Sequence, residues 1–446
     1  MTDAQDNPPP TGPAPGRRGP AGAAGNVHDV LVIGGGPAGS ACSFWLADAG
    51  WDVALVEKKT FPRVKTCGDG LTPRAVRQLA DMGLEDALAG AHQYRGLRAI
   101  GFGQTLELSW PDHPSFPAYG YTITRHDLDG LVADRAAKAG AAVTQGTEAV
   151  EVLGAAGGGP DELPAVDGAL VRDASTGATR EVRARYVVVA DGANSRIGRS
   201  LGTARHRTYP QGMALRGYYR SDRSDDPLIE SHLDIRTADG EVVPGYGWIF
   251  PLGDGRVNVG VGLLSTGDRW KGVNTTKLMD AFVAAADPSW GLTEENALGA
   301  PTGGRLPMGL AVGPRVGANV VVVGDAGGSI NPFNGEGIAY GYETGRLAAA
   351  SLGEALLGDP EAVAGYEARL EEAYATYYRV GRAFVRLIAN PAVMTTCVSL
   401  GMHSEHLMAA LLRIMANLMR PDDLGAAELG YRALEAASRL VPPSAA

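Results

Sequence analysis

A glycine-rich turn and a distant acid are the first residues whose types and spacing suggest chemistry. Residues 34–39 read GGGPAG and satisfy the pattern GxGxxG through Gly34, Gly36 and Gly39. Glycines at these positions permit a tight turn, a close approach of the backbone to a pyrophosphate, and close packing of a helix on a strand. Glu57 lies 23 residues after Gly34, where its carboxylate can accept hydrogen bonds from ribose hydroxyls. These residues predict a site for NAD or FAD.

The sequence around the turn predicts the elements that must hold it. The apolar run at 28–33 is typical of a buried parallel strand, a helix is expected at 37–48, and a second strand at 52–57. Together they form a βαβ unit in which the helix start offers free N–H groups and about half a unit of positive charge to phosphates. Because the turn lies between a strand and a helix, the fingerprint is far more specific than the glycine pattern alone.

Further along the chain, the hydrophobic patterns predict a mixture of strands and helices. We expect one half-exposed strand at 96–110, a helix at 124–140 and a hairpin within 248–263 that turns at residues 253–255. A helix is expected to begin near Gly335, and the chain is predicted to be helical from Glu361 to nearly its end.

A second motif decides between the two nucleotides. Residues 321–338 read VVVGDAGGSINPFNGEGI and resemble the GDA…NPxxGEGI element of the flavoprotein group that contains aromatic hydroxylases and geranylgeranyl reductases. The resemblance implies FAD, with Asp325 on the ribityl chain and the helix start at Gly335, Gly337 and Ile338 facing the flavin. A helix N-terminus can also stabilise an anionic reduced ring. The structural alternative is that Asp325 caps a helix in a glycine-rich turn.

The same group implies further cofactor contacts. Residues 186–194, YVVVADGAN, resemble its strand followed by Asp-Gly, which places Asp191 near the pyrophosphate. Arg125 matches the arginine that opens a long helix beside the flavin. The resemblance also carries over Pro37 and Ala38 in the first turn, and Ala149 near the adenine.

Two segments point to the geranylgeranyl reductase branch of this group. Residues 65–71, KTCGDGL, resemble its KxCGxGL element, and residues 246–251, YGWIFP, resemble its YxWxFP element. The branch saturates double bonds in prenyl chains, and the resemblance implies that Cys67 and Gly68 lie against the flavin. Trp248 and Phe250 share one face of a strand and could line an apolar tunnel. The alternatives are a small buried Cys67 and an ordinary sheet core.

Reduction of an unactivated prenyl alkene needs a hydride at one carbon and a proton at the other. Cys67 is expected either to donate that proton or to shape the cavity, Tyr246 is the second candidate, and Trp248 completes the predicted catalytic group. The preferred substrate is a polyprenyl quinone, menaquinone, with a geranylgeranyl lipid next. The rival functions are an FAD-dependent monooxygenase or halogenase of an aromatic metabolite and a non-catalytic flavin or lipid carrier. The electron donor stays open between NADPH and a ferredoxin.

The resemblance implies an α/β fold, with a Rossmann-type FAD-binding domain of the aromatic hydroxylase and geranylgeranyl reductase type, a mixed β-sheet substrate domain and a helical carboxy terminus. We expect residues 1–26 to form a disordered tail. The FAD-binding domain is predicted to be discontinuous, at 27–95, 120–205 and 301–360. The substrate domain is predicted at 96–119 and 206–300, and the helical region at 361–446.

Composition limits the partners and the location. The 446 residues carry a net charge of −10 and no basic run, which argues against nucleic acid, and the three cysteines have no metal-ligand spacing. Because of this cysteine spacing we expect no metal site. No apolar segment is long enough to span a bilayer, so we expect a cytoplasmic protein. A polyprenyl substrate favours peripheral contact with the inner face of the cell membrane. That contact would use basic residues such as Arg382 and Arg386, together with a stripe of Leu and Met side chains at residues 407, 408, 411, 412, 415, 418 and 419. The structural alternative is that this stripe packs on the core of the enzyme or on a partner subunit.

Overall fold

The structure is a computed structural model, and it describes residues 27–264, 272–420, 423 and 425–438. The predicted tail at 1–26 lies outside the described residues. The strands are β1 (Val27–Ile33), β2 (Val53–Val56), β3 (Gly70–Leu71), β4 (His92–Tyr94), β5 (Gly96–Gly101), β6 (Gln104–Ser109), β7 (Gly120–Thr122), β8 (Ala142–Thr144), β9 (Thr147–Leu153), β10 (Gly168–Asp173), β11 (Thr179–Val189), β12 (Ala204–Arg205), β13 (Gln211–Arg220), β14 (Leu228–His232), β15 (Gly245–Pro251), β16 (Arg256–Leu264), β17 (Thr302–Pro307), β18 (Val312–Gly313) and β19 (Val320–Val322).

The α-helices are α1 (Pro37–Asp48), α2 (Pro73–Asp81), α3 (Arg125–Ala139), α4 (Arg196–Ser200), α5 (Thr275–Ala285), α6 (Ile338–Leu356), α7 (Gly365–Ile388), α8 (Pro391–Gly401), α9 (Glu405–Met415) and α10 (Ala426–Ser438). The predicted βαβ unit is confirmed by β1, α1 and β2. The predicted helix at 124–140 is α3, which ends at Gly140 in the left-handed conformation.

The nucleotide sheet is built around β1. Its strand order is β8-β2-β1-β11-β10-β9, and β19 also pairs with β11. The pairs formed by β1, β2, β8, β11 and β19 are parallel, whereas β10 runs antiparallel to β9 and β11. The predicted turn 34–39, Asp191 and Asp325 follow β1, β11 and β19, so the parallel strands bring all three to one edge of this sheet.

A second sheet, which also has seven strands, is mostly antiparallel. Its order is β17-β13-β16-β15-β14-β5-β6, and only β14 and β5 pair in parallel. The predicted hairpin is confirmed by β15 and β16. The single strand predicted at 96–110 was wrong: Phe102 and Gly103 both take positive φ, which turns the segment into the hairpin of β5 and β6. Two small sheets, β3-β7-β4 and β12-β18, complete the described strands.

The hydrophobic core covers both faces of the nucleotide sheet. Val30 and Val32 of β1 join a cluster that includes α1, α6 and α7, while Leu31 and Ile33 join the cluster on the other face. This alternation follows from the two-residue repeat of a strand buried on both sides. Both faces of β1 are therefore fixed, and so is the position of the turn that follows it.

The Leu/Met stripe near the carboxy terminus packs mostly inward. Met408, Leu412 and Leu418 are buried against Tyr94 and Trp110, and Leu411 is partly buried beside them. Met415 and Met419 pack against the main cluster. Of this stripe only Leu407 is largely exposed, at 47%. Apart from Leu407, the stripe therefore packs in the core, as its structural interpretation predicted, and the peripheral membrane contact stays a prediction.

Among the described residues, no single helix has the length and apolar composition of a membrane span. The segments 360–388 and 391–401 meet that requirement only as a pair, with a bend of 106° between them.

Candidate functional site

The turn 34–39 has the backbone geometry of a phosphate-binding turn. Gly34 has a φ of +109°, and a Cβ there would lie 2.4 Å from the Ala190 oxygen. A Cβ on Gly39 would lie 1.9 Å from the Gly34 oxygen, so α1 can approach the turn only with glycine at that position. Gly36 precedes α1 and Pro37 occupies its first position, where a missing N–H costs nothing. The helix start thus stays open toward a phosphate.

Ala38 lies where α1 packs against α6. A Cβ added to Gly345 would lie 2.3 Å from the Ala38 oxygen, and one added to Gly324 would lie 2.7 Å from the Ala38 Cβ. The Ala38 side chain is therefore buried against the segment that follows β19, and its backbone contacts α6. The cofactor contact predicted for Ala38 stays a prediction.

Glu57 closes the turn from the side. Its carboxylate accepts hydrogen bonds from the backbone N–H groups of Gly35, at 2.8 Å, and of Lys59, at 2.9 Å. Arg63 lies beside it, 3.7 Å from one carboxylate oxygen, and makes a closer ion pair of 3.0 Å with Asp129. The carboxylate oxygens have further lone pairs, so the ribose contact predicted for Glu57 remains compatible with these bonds.

Asp191 lies beside the turn and caps a helix. One of its carboxylate oxygens accepts from the backbone N–H groups of Arg196, at 2.8 Å, and Ile197, at 3.1 Å, at the start of α4. A Cβ on Gly34 would lie 3.2 Å from the Asp191 Cα. The other oxygen, Oδ1, is buried without a hydrogen-bond partner among the described residues. Asp191 is thus both a cap and a neighbour of the predicted pyrophosphate position.

Asp325 follows β19 at the same edge of the sheet. A Cβ on Gly337, which directly precedes α6, would lie 3.3 Å from the Asp325 Oδ1. Burial raises the pKa of this carboxyl above its ordinary value, while Lys65 and Arg125 act in the opposite direction. Gly335 takes a positive φ of +77°, so the helix predicted near this residue begins three residues later, with Gly337 as its N-cap and Ile338 as its first residue. The site therefore combines an acceptor for hydroxyls with an open helix N-terminus.

The Cys67 loop, residues 65–71, lies against an aromatic face of the second sheet. A Cβ on Gly68 would lie 3.3 Å from the Phe250 ring and 3.5 Å from Trp248 Nε1. The rings of Tyr246 and Trp248 are 5.8 Å apart, and those of Trp248 and Phe250 are 6.2 Å apart, because alternate residues of β15 share a face. Ile249, on the other face of β15, is buried in the sheet core. The structure thus brings the two sequence segments of the predicted catalytic group together.

A buried polar network fixes the Cys67 loop. The Asn258 amide donates to the Cys67 carbonyl at 2.9 Å and to the Asp69 carboxylate at 2.8 Å. Trp248 Nε1 donates to the Asn258 oxygen at 2.9 Å, which sets the orientation of that amide. The Tyr218 hydroxyl donates to the same Asp69 oxygen at 2.5 Å. The predicted catalytic Trp248 is therefore a positioning residue in this network as well as part of the aromatic face.

Asp69 is the centre of this network and was not singled out from the sequence. It is fully buried and takes a φ of 64°. Burial raises the pKa of its carboxyl, and the hydrogen bonds from Tyr218 and Asn258 lower it. The Arg125 backbone N–H donates to its second oxygen at 3.2 Å, which connects the loop to α3.

Arg125 links the Cys67 loop to the nucleotide side of the site. Its guanidinium is buried and makes two hydrogen bonds of 2.5 and 2.7 Å with Asp129. Burial raises the pKa of Cys67, the Asp69 charge raises it further, and Arg125 lowers it. The position beside the flavin that was predicted for Arg125 stays a prediction.

Ala149 lies on β9 at the edge of the nucleotide sheet, opposite Val171 of β10. Its half-buried side chain packs on the second core cluster. Its predicted place beside an adenine ring stays a prediction.

Glu336 lies within the second motif, and Thr72 directly follows the Cys67 loop, but neither was predicted as a site residue. The Thr72 hydroxyl donates to Glu336 Oε1 at 2.5 Å and so joins the segment 334–337 to the end of the Cys67 loop. The Tyr246 hydroxyl donates to the Asn334 carbonyl at 2.6 Å, which brings β15 to the same segment. The sequence signal that could have identified Glu336 is its position between two glycines at a predicted helix start.

The assembled site fits FAD. The open start of α1 suits a pyrophosphate, and Asp325 offers its carboxylate to ribityl hydroxyls next to the start of α6. The Cys67 loop and the aromatic face close the far end. Within the described residues, these groups lie on separate parts of the chain that meet only in the fold.

Comparisons with known proteins agree with this geometry. Residues 27–215 match the family model described as an FAD binding domain. A menaquinone reductase of Mycobacterium tuberculosis is 42% identical over 89% of this chain and 92% of its own length. A digeranylgeranylglycerophospholipid reductase of Methanopyrus kandleri is 30% identical over 81% of this chain and 90% of its own. A solved geranylgeranyl bacteriochlorophyll reductase-like protein of Thermoplasma acidophilum superposes with a TM-score of 0.72, at 23% identity, over 92% of this chain and 99% of that one.

Proposed function

The chain belongs to the geranylgeranyl reductase family of FAD-dependent oxidoreductases, and from that premise we propose that it saturates a double bond in the isoprenoid side chain of menaquinone. The observation that carries the choice of substrate is the 42% identity to a menaquinone reductase over 89% of the chain. The relation to a digeranylgeranylglycerophospholipid reductase supports a prenyl chain as the reacting part. A geranylgeranyl lipid is therefore the second candidate substrate.

The proposed binding mode uses the aromatic face and the Cys67 loop. The Cys67 loop packs directly on the Trp248 and Phe250 rings, so an isoprenoid segment would lie along the edge of this joint surface, against the half-buried Tyr246 and Phe250 rings. Bound and reduced FAD would supply the hydride. Cys67 and Gly68 would form the wall that holds the alkene toward the cofactor, while the Asp69 network keeps that wall in place.

The cofactor contacts of the proposal follow from the described geometry. Gly34, Gly36, Pro37 and Gly39 would hold the pyrophosphate at the start of α1, and Glu57 would accept from the ribose. Asp325 would bind the ribityl hydroxyls, with Gly335, Gly337 and Ile338 beside the flavin. Asp191 would lie near the pyrophosphate, Arg125 beside the flavin, and Ala149 near the adenine. The electron donor in this proposal is NADPH or a ferredoxin, and reduction tests with each would identify it.

We also propose that the protein meets its substrate at a membrane surface. Transfer of a polyprenyl tail from the bilayer to water costs roughly 0.8 kcal/mol of free energy per CH₂, so the enzyme must approach the bilayer. Leu387, Leu400 and Leu407 are more than two-fifths exposed on the consecutive helices α7, α8 and α9, and α8 has no charged residue. Arg382 and Arg386 each donate to a backbone carbonyl, of Gly309 and Thr208, so the apolar side chains would make most of the contact.

The membrane proposal is tested with matched leucine variants. Leu400→Ser should reduce co-sedimentation with vesicles of anionic phospholipid, because Leu400 is 67% exposed on the charge-free helix. Leu357→Ser removes a leucine of similar exposure, 72%, that follows α6 and serves as the control. Equal vesicle binding by the two variants and the unchanged protein would rule out this surface.

The catalytic proposal is tested with the FAD-loaded protein under anaerobic conditions. The flavin is reduced with dithionite, menaquinone is added in detergent, and the flavin spectrum and product mass are followed. A gain of two hydrogens on the side chain, together with flavin reoxidation, is the expected result. An unchanged tail mass with menaquinone, followed by a positive result with a geranylgeranyl lipid, would move the proposal to the second substrate. Reoxidation that requires oxygen and an aromatic substrate would replace it with a monooxygenase.

A further inference from the structure

Glu336 is a half-buried residue, and only one of its two carboxyl oxygens has a hydrogen-bond partner among the described residues. Its Oε1 accepts the 2.5 Å hydrogen bond from Thr72. Its Oε2 is fully covered and has no hydrogen-bond partner in the part of the chain that the structure describes. An unpartnered buried oxygen is costly for a carboxylate, and much less so for a carboxylic acid that directs its proton to a ligand.

The charged neighbours of Glu336, Arg74 and Glu343, form an ion pair with each other. Arg74 of α2 forms an ion pair of 2.6 Å with Glu343 of α6, and the Tyr374 hydroxyl of α7 donates to the other Glu343 oxygen at 2.6 Å. Tyr94, Tyr340 and Tyr246 are the remaining titratable groups close enough to interact with the Glu336 charge. Among the described residues Glu336 therefore has a hydroxyl as partner and no cation of its own.

Burial raises the pKa of Glu336 to about 7; the Thr72 hydrogen bond and the Arg74 charge lower it, and the Glu343 charge raises it. At neutral pH a substantial share of the protein then holds a proton on this carboxyl. The ideal pKa of a general acid lies near the working pH. The geometry and the titration therefore agree on an acid that is loaded at neutral pH.

Glu336 also lies where the proposed reaction needs an acid. Its neighbour Asn334 accepts the Tyr246 hydroxyl, and a Cβ on Gly335 would lie 3.6 Å from that hydroxyl oxygen. Thr72 directly follows the Cys67 loop. The segment 334–337 thus contacts the aromatic face through Asn334, and Thr72 holds the Glu336 carboxyl at the end of the Cys67 loop, which would hold the alkene.

The two acids expected from the sequence are less suited to this step. The Tyr246 proton is already donated to the Asn334 carbonyl, and burial raises the pKa of Tyr246 to about 12. Burial also raises the pKa of the Cys67 thiol above a value that is already well above neutral. Both groups hold their protons far more tightly at pH 7 than Glu336 does.

We propose that Glu336 is the catalytic acid that protonates the substrate alkene, with Thr72 as its positioning residue. The inference rests on the proposed prenyl reduction. The π electron pair of the alkene takes the Glu336 proton at one carbon, and the hydride supplied by reduced FAD completes the other carbon. The C=C π bond, the Glu336 O–H bond and the bond that holds the hydride in reduced FAD would break, two C–H bonds would form, and the FAD would be oxidised by two electrons. The resulting carboxylate would regain a proton from solvent before the next turnover.

The first test reads the carboxyl itself, without substrate. Infrared difference spectra of the FAD-loaded protein between acidic and alkaline pH should show the C=O stretch of a carboxylic acid that titrates near pH 7. The band should be absent from Glu336→Gln and present in Glu371→Gln, which removes an exposed acid of α7. A spectrum in which Glu336→Gln leaves every such band unchanged would overturn the assignment.

The second test follows reoxidation of the dithionite-reduced flavin by menaquinone in a stopped-flow instrument. Glu336→Gln should slow it about 100-fold or more, the usual contribution of general acid catalysis, with unchanged FAD content. Thr72→Val should move the alkaline limb of the pH profile to higher pH because it removes a bond that stabilises the carboxylate, and Thr72→Ser should restore the profile. A rate for Glu336→Gln within about threefold of the unchanged protein would overturn the proposal.

Failure of this proposal can be distinguished from failure of the proposed function. If the unchanged protein reduces no prenyl substrate, the proposed function falls, and the infrared band still reports whether Glu336 is a neutral acid. If the unchanged protein reduces menaquinone and Glu336→Gln does so at the same rate, only the assignment of the acid falls.

Discussion

Removal of the Tyr218 hydroxyl is the sharpest test of the network that holds the Cys67 loop. Tyr218→Phe keeps the ring, over which the Arg216 guanidinium lies at 4.2 Å, and removes only the hydrogen bond of 2.5 Å to Asp69. Asp69 is fully buried and would keep two of its three donors, Asn258 and the Arg125 backbone. The variant therefore isolates one hydrogen bond to one buried carboxylate.

The magnitude follows from the charge of the acceptor. A hydrogen bond to a charged group contributes about 1.5–3 kcal/mol, against about 0.5–1.5 kcal/mol for a neutral pair. Because the Asp69 carboxylate would lose one of three donors in a buried site, we expect Tyr218→Phe to lower the free energy of unfolding by about 2 kcal/mol. The adjacent Tyr219 is half-buried, and its hydroxyl has no hydrogen bond with the described residues, so Tyr219→Phe should change the free energy by less than about 0.5 kcal/mol.

Equilibrium urea unfolding of both variants is measured at one FAD concentration, and an FAD titration of each variant corrects for any change in cofactor affinity. Hydrogen exchange of the peptide that contains residues 65–72 should also speed up in Tyr218→Phe alone, because the loop loses part of its anchor. If Tyr218→Phe and Tyr219→Phe were equally stable and their loop peptides exchanged alike, the argument that Asp69 organises this loop would be refuted.

Three further predictions follow from single contacts. Gly39→Ala should yield protein purified without flavin, seen as loss of the visible flavin absorbance, because its Cβ would lie 1.9 Å from the Gly34 oxygen; Gly90→Ala, with open space around it, is the control. Asp325→Ala should weaken FAD binding about tenfold or more in a fluorescence titration, since a charge-assisted hydrogen bond contributes at least about 1.4 kcal/mol; retained affinity would contradict the ribityl contact. The raised Glu336 pKa of about 7 predicts that its contribution to stability is complete below its unfolded pKa of about 4.5 and is lost as the pH rises through 7. Relative to Glu336→Gln, the unchanged protein should lose roughly 3 kcal/mol of unfolding free energy over that window, and parallel pH curves would contradict it.

The sequence predicts the parts of the fold that depend on local signals. The strand, glycine turn and helix at 27–48 were predictable because the turn needs glycine for steric reasons and because β1 is buried on both faces. The hairpin of β15 and β16 was predictable from its Gly-Asp-Gly turn. The hairpin of β5 and β6 was missed because Phe102, which no turn rule favours, takes a positive φ there. The helix α2 was missed although Thr72 caps it and Pro73 occupies its first position, since it is only nine residues long.

The candidate site was predictable as a set of motifs but not as a network. The KxCGxGL and YxWxFP resemblances indicated the Cys67 loop and the aromatic strand, and the structure places them in contact. The partners that fix them, Tyr218 and Asn258, lie in strands with no motif of their own. Their roles depend on the register of β13, β16 and β15, in which Tyr218 lies opposite Asn258 and Asn258 lies opposite Phe250. Long-range register of this kind is set by the whole sheet, and a local pattern does not contain it.

The arrangement of hydrogen bonds suggests why the cofactor side and the substrate side of the site should act as one unit. Thr72 connects the end of the Cys67 loop to Glu336, Tyr246 connects β15 to Asn334, and the Arg125 backbone connects α3 to Asp69. Each connection joins a group that would face FAD to a group that would face the prenyl chain. A buried polar group that loses its partner costs about 1–3 kcal/mol. A shift of the start of α6 would therefore either move Glu336, Thr72 and Tyr246 together or break the hydrogen bonds that join them. The same bonds that stabilise the site therefore keep the acid, the aromatic face and the cofactor in a fixed relation, which a reaction that delivers a hydride and a proton to adjacent carbons requires.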